Sequence, residues 1–266
     1  MPRCALIIGL GLLLLALAGP AGPAGAQAQP DPATAFAGQP GTFVLRWPDG
    51  RLWRHDPRRA AQRFSPCSTF KIPNALIGLD SGVIPGPDFV LPWDGQTRSW
   101  PDWNRDQDLR GAIRFSVVWY FQELARRVGP GRMQAYLDRL DYGNRDISGG
   151  IDRFWLHSSL EVSAEEQVAF LTRLHQEQLP LGQVGQRQVK EMLVLEQKGG
   201  AVLAGKTGSW RPDGGRWNLG WFVGWLERGG QAYIFACRMG ADAAREAHGG
   251  RAREVAEAVL RAWGLW

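Results

Sequence analysis

The order of strand and helix patterns along the chain most constrains its fold. Thr42–Trp47 and Arg51–His55 are strand-like segments flanking Pro48-Asp49-Gly50, which reads as a hairpin closed by a Gly-containing turn. Helical patterns follow at Ile72–Leu79, at Val117–Val128 before Gly129-Pro130, and at Met133–Leu140. The capping box Ser163-Ala164-Glu165-Glu166 opens another helix that runs to about Gln176, and Val184–Leu195 reads as one more. Ala201–Lys206, Leu219–Leu226 and Gln231–Arg238 then read as strands, the last two joined at Arg228-Gly229-Gly230, and Arg253–Trp263 closes the chain as a helix. Strands at both ends with helices between them predict an α+β fold: an antiparallel sheet built from both ends, faced by terminal helices, with an all-helical lobe inserted. The sheet lobe is expected to take about residues 39–60 and 200–266, the helical lobe about 61–199. A ligand pocket is expected between the lobes.

The first residues read as an export signal. Arg3 supplies positive charge, Ala5–Ala18 is apolar and uncharged, and Ala24-Gly25-Ala26 fits a small-residue cleavage site. The apolar run falls short of the roughly 20 residues of a membrane span. Residues 1–26 are therefore expected to be a signal peptide, and 27–266 a domain exported to the periplasm with no membrane span of its own.

The net charge of +5 and pI of about 9.4 come from scattered basic residues such as Arg58-Arg59 and Arg126-Arg127. No basic block marks a nucleic-acid surface, and a mildly basic site suits an anionic substrate. The histidines His55, His157, His175 and His248 show no ligand spacing, so no metal site is expected. Of the three cysteines, Cys4 lies in the signal; Cys67 and Cys237 remain, and an exported context allows a disulfide between them without implying one.

The chemistry-bearing motif is Ser68-Thr69-Phe70-Lys71. Residues three apart on a helical turn share a face, so the Lys71 amine can reach the Ser68 hydroxyl. A serine needs such a base to become a nucleophile. An ordinary lysine is a poor base, because only about one in 2,500 is neutral at pH 7. Cys67 beside Ser68 is a rival nucleophile, but no Cys/His arrangement supports it. Lys206-Thr207-Gly208 lies in the strand-like stretch Ala201–Gly208. Ser116 precedes a helix and reads either as an N-cap or as a site residue, and Trp155 reads either as core or as site.

S-x-x-K with K-T-G is a signature of serine β-lactamases and penicillin-binding proteins, and the fuller set resembles the class D β-lactamases. The resemblance runs from about Phe64 to Ala232. It rests on Ser68–Lys71, on Ser116-Val117-Val118 as S-x-V, on Tyr142-Gly143-Asn144, on Trp155, on Lys206–Gly208 and on Trp221-Phe222-Val223-Gly224-Trp225. It implies hydrolysis of the β-lactam ring of penicillin-type antibiotics, and hence antibiotic resistance, through an acyl-enzyme on Ser68. Lys71 would carry CO₂ as a carbamate and act as general base, with no other cofactor. Ser116 would pass a proton to the leaving nitrogen, Trp155 would hold the carbamate, and Val118 would screen it. Lys206, Thr207, Gly208 and Ser209 would face the substrate, the backbone N–H groups of Ser68 and Ser209 forming the oxyanion hole. Trp100 would border the pocket mouth, its other reading being a surface aromatic. Arg251 would bind the substrate carboxylate, although Arg253 is as near. The chain departs from the family in carrying Ser209, with Trp210 behind it, where an aromatic residue often follows K-T-G.

Two other readings use the same motifs. A penicillin-binding protein typically has S-x-N where this chain has Val118. A β-lactam sensor, which stays acylated, is normally tethered to membrane segments, whereas this chain reads as freestanding.

Overall fold

The computed structural model describes residues 33–213 and 215–266, together with Met1 and Asp31; the expected signal peptide lies outside the described residues. A six-stranded antiparallel sheet runs β2-β1-β6-β5-β4-β3. Its strands are β1 (Gly41–Arg46), β2 (Leu52–His55), β3 (Val194–Lys198), β4 (Ala201–Trp210), β5 (Leu219–Arg228) and β6 (Gln231–Gly240). The early hairpin pairs with β6 from Gly41↔Met239 to Arg46↔Ile234, which joins the two ends of the chain in one sheet.

Turn chemistry explains the hairpins. Gly50 at φ 91° closes β1 to β2. Gly229 and Gly230, at φ 58° and 72°, form the two-residue link between β5 and β6, where positive φ at both positions matches the strand twist. The strand β3 departs from the sequence expectation. The helical pattern at Val184–Leu195 ends at Met192, and Val194 starts an edge strand against β4. All residues of β3 are exposed, so no alternation of buried positions marks it in the sequence.

The helices are α1 (Ala33–Phe36), α2 (Pro57–Ala61), α3 (Lys71–Asp80), α4 (Leu109–Arg114), α5 (Val118–Val128), α6 (Pro130–Leu140), α7 (Ala164–His175), α8 (Gln183–Met192) and α9 (Gly249–Ala262). One sheet face packs Phe43, Phe222, Phe235 and Met239 against Val255, Val259 and Leu260 of α9 and Phe36 of α1. The other packs Trp221, Val223, Trp225 and Ala236 into a core shared with α3, α5 and α7. The central strand β5 is buried on both faces from Leu219 to Leu226, as a continuous apolar run requires. The capping box forms as read: Ser163 Oγ accepts from Glu166 N at 3.1 Å, and Glu166 Oε2 accepts from Ser163 N at 2.8 Å.

Gly224, between the two sheet tryptophans, is dictated by close approach. A Cβ there would run into the Ala204 carbonyl oxygen and meet Gly205 Cα at 2.6 Å. Gly224→Ala is expected to destabilise by at least about 1–3 kcal/mol through overpacking, lowering Tm by about 2–12 °C. Thermal unfolding followed by circular dichroism measures this.

Candidate active site

The signature serine sits on a strained turn. Cys67–Phe70 is a single 3-10 turn that passes into α3 at Lys71. Cys67 adopts φ 50°, a left-handed conformation costly for a non-glycine residue. Pro73 falls in the first turn of α3, where its missing N–H costs no helical bond. Ser68 is thus lifted into the cleft while Lys71 points inward, fully buried, with Nζ 2.7 Å from Ser68 Oγ. The Phe121 ring lies 5.6 Å from the amine. Burial holds the Lys71 amine well below the usual lysine range, and the nearby Lys206 charge adds to the effect.

The second strand-borne element reaches the serine by close packing. A Cβ on Gly208 would meet Pro66 O at 2.9 Å and Ser68 N at 3.3 Å, so only glycine lets β4 lie against the nucleophile turn. Lys206-Thr207-Gly208 therefore lies within β4, which continues through Ser209 to Trp210. Trp210 stacks on His157, in the loop that carries Trp155, with ring centroids 3.4 Å apart. Lys206 Nζ donates to Ser116 Oγ at 2.9 Å, and burial lowers its pKa to about 8.

Ser116 is not an N-cap. Val117 occupies that position ahead of α5, and Ser116 stands before it at φ 55°. Its hydroxyl is aimed at Lys206 rather than at the helix. Two tryptophans fix this corner: Trp103 Nε1 donates to Phe115 O at 2.9 Å, and Trp119 Nε1 donates to Trp103 O at 2.8 Å.

Trp155 is completely buried and stacks on Phe70, yet among the described residues its indole Nε1–H has no hydrogen-bond partner. A buried donor left unpaired costs about 1–3 kcal/mol, so an acceptor brought within its reach would be favoured. Ser65, which the motif reading missed, ties the Trp155 loop to the nucleophile turn. Its Oγ donates to Trp155 O at 2.9 Å and accepts from His157 N at 2.8 Å, while its carbonyl accepts from Trp221 Nε1 at 3.0 Å. Tyr142-Gly143-Asn144 anchors the far end of that loop. Asn144 Nδ2 donates to Ser159 O at 2.8 Å and Asn144 Oδ1 accepts from Glu161 N at 3.0 Å.

The cleft has a volume of about 550 Å³ and is lined by Ser68, Ser116, Val118, Thr207, Gly208 and Ser209. Trp100, 58% exposed and stacked on Trp103, stands at its edge. Sequence reasoning missed Trp103, Phe115, Leu156, Trp217, Glu246 and His248, which complete the walls. Arg251 is not among them. Because α9 begins at Gly249, earlier than its apolar pattern suggests, Arg251 lies in the first turn. Its guanidinium turns away to Ala35 O at 3.3 Å and to Glu254 at 3.3 Å. Arg253 also misses the cleft: it pairs with Glu257 at 2.6 Å and lines a neighbouring groove. Cys67 and Cys237 are both buried and free, and burial pushes the Cys67 thiol up to about 12, which removes it as a rival nucleophile. Among the described residues, no group of three His, Cys, Asp or Glu could hold a metal, and no helix is long and apolar enough to cross a membrane.

A serine and a buried lysine in a cleft between an antiparallel sheet and a helical lobe define a transpeptidase-type site. The profile of the penicillin-binding protein transpeptidase domain matches residues 35–261. Within that fold the chain belongs to the class D serine β-lactamases. It is 40% identical over 231 residues to "Probable beta-lactamase YbxI" of Bacillus subtilis (strain 168), covering 86% of this chain and 83% of that protein. It is 45% identical over 199 residues to "Beta-lactamase OXA-48" of Klebsiella pneumoniae, covering 74% of each. The solved structure "Class D beta-lactamase BAT-2" superposes with a TM-score of 0.83 at 38% identity, covering 89% of this chain and 96% of that one.

The buried amine predicts a trade between stability and chemistry. The folded state disfavours the ammonium, so the unfolded chain binds more protons and the Lys71 penalty grows as pH falls below the unfolded lysine value. Lys71→Met fills the same space without that penalty. It is expected to raise Tm at pH 7 by about 2–8 °C while abolishing activity, as calorimetry and a β-lactam turnover assay would report.

Proposed function

We propose that this protein hydrolyses the β-lactam ring of penicillin-type antibiotics and so confers resistance to them. The observation that carries the reading is the fully buried Lys71 amine 2.7 Å from the Ser68 hydroxyl. An amine kept neutral by burial can take up CO₂, and the resulting carbamate accepts the hydroxyl proton as the Ser68 oxygen attacks the lactam carbonyl. The backbone N–H groups of Ser68 and Ser209, brought together by the Gly208 contact, receive the developing oxyanion. Such donors contribute about 2.7–4 kcal/mol each. Ser116, hydrogen-bonded to Lys206, delivers a proton to the ring nitrogen as the carbon–nitrogen bond breaks. Water then cleaves the Ser68 ester. Thr207 lines the substrate side of the cleft, and Trp100 borders its mouth.

Lys71 acts as an N-carboxylated base. The neutral amine adds to the carbon of CO₂ and loses a proton, which turns a potential cation into a carbamate anion. The unpaired indole N–H of Trp155 supports this assignment, since it is a donor only and needs an acceptor. Val118 shields the site from bulk water. The export-like N-terminal sequence supports a periplasmic location, where the antibiotic is met.

Intact-mass spectrometry after addition of penicillin is expected to show one adduct, mapped to the Ser68 peptide and absent in Ser68→Ala. Nitrocefin should be turned over many times. A single stoichiometric burst would instead identify a transpeptidase or a sensor. Acid protonates the Lys71 amine and discharges the carbamate, so kcat/KM is expected to fall on the acid side and to recover with added bicarbonate. Trp155→Phe should lower kcat by about 10²–10⁴-fold at ambient CO₂ and need more bicarbonate. A rate independent of bicarbonate, with no carbamate signal from ¹³C-bicarbonate in the NMR spectrum, would leave the plain amine as base.

A further inference from the structure

A penicillin presents a carboxylate beside its lactam ring, yet among the described residues no arginine or lysine lines the cleft. Lys206 is spent on Ser116 and its own strand. Arg251 faces α1 and Arg253 faces Glu257. The wall where β4 meets the start of α9 carries Thr207, Ser209 and His248 instead.

His248 is the N-cap of α9, with its Nδ1 accepting the backbone N–H of Arg251 at 3.1 Å. That bond fixes the tautomer, because an accepting Nδ1 leaves the ring proton on Nε2. Ser209 Oγ accepts the Gly249 N–H at 2.8 Å, which leaves its hydroxyl proton to donate elsewhere. The close packing of this corner holds the three side chains together. A Cβ on Gly249 would meet Thr207 Cβ at 2.7 Å and Ser209 Oγ at 3.1 Å. A Cβ on Gly220 would strike the His248 backbone. Glu246 in the same cleft would oppose an anion, but its carboxylate faces Arg216 at 4.0 Å.

We propose that the Nε2–H of His248, with the hydroxyls of Thr207 and Ser209, binds the substrate carboxylate, the task that family resemblance gives to an arginine. This rests on the β-lactam reading above. A neutral imidazole donor placed by a helix cap differs from a guanidinium in having one proton to give, so carboxylate recognition here is by directed hydrogen bonds.

The test compares a penicillin with its methyl ester. His248→Asn keeps a capping oxygen for the Arg251 N–H and removes the ring donor. It is expected to raise KM for the free acid by about 10- to 100-fold and to leave KM for the ester within about twofold. Arg251→Ala is expected to leave both within about twofold. Equal changes for acid and ester in His248→Asn would reduce the residue to a helix cap and overturn the proposal. So would an acid-specific defect in Arg251→Ala, which would show its guanidinium reaching the substrate. A wild-type protein that binds acid and ester equally while hydrolysing both overturns the carboxylate site alone. A wild-type protein that hydrolyses neither overturns the β-lactam reading itself.

Discussion

The site is organised around one unfavourable act, the burial of the Lys71 amine. An ammonium withdrawn from water without a counter-anion is strongly disfavoured, so burial holds the Lys71 amine well below the usual lysine range. Much of the surrounding core serves this purpose. Phe70, Phe121 and Trp155 are fully buried around it, and the turn that presents Ser68 is the same turn that drives Lys71 inward. A residue costly to stability thereby becomes the chemical asset of the protein.

Keeping that cage closed requires connections between parts of the chain far apart in sequence. Ser65 joins the nucleophile turn to the Trp155 loop and to Trp221 of the sheet. Thr69 accepts from Gln167 of α7 at 2.9 Å, and Gln167 in turn meets Tyr142. These are buried polar groups with satisfied partners, which rigidify a core where partly satisfied ones would weaken it. Among the described residues the Trp155 indole stands outside this pattern, as a buried donor without a partner.

Two corners of the cleft are set by backbone proximity. Gly208 lets β4 touch the Ser68 turn, and Gly249 lets the start of α9 touch Thr207 and Ser209. The first sets β4 against the Ser68 turn and the second brings His248 to the wall. In both, the absent side chain is the functional property of the residue.

The sequence by itself determined the architecture and the pairing of Ser68 with Lys71. Turn chemistry at Gly229-Gly230, the capping box at Ser163 and the apolar run of β5 are local properties, and each predicts its element without reference to the rest of the chain. The spacing of Ser68 and Lys71 is likewise local to one helical turn. The exposed strand β3 escaped this reading, because its pairing with β4 is written in no periodicity of its own. Arg251 and His248 escaped for a related reason. Which of two near residues enters a cleft depends on where α9 begins, and its cap is a histidine rather than one of the residues that commonly signal a helix start. Ser116 looked like a cap because it precedes a helix, but its left-handed backbone and its bond to Lys206 arise only when α4, α5 and β4 meet. Contacts within a turn are encoded by adjacent residues, whereas contacts between lobes depend on the packing of the whole chain, so only the tertiary structure could decide them.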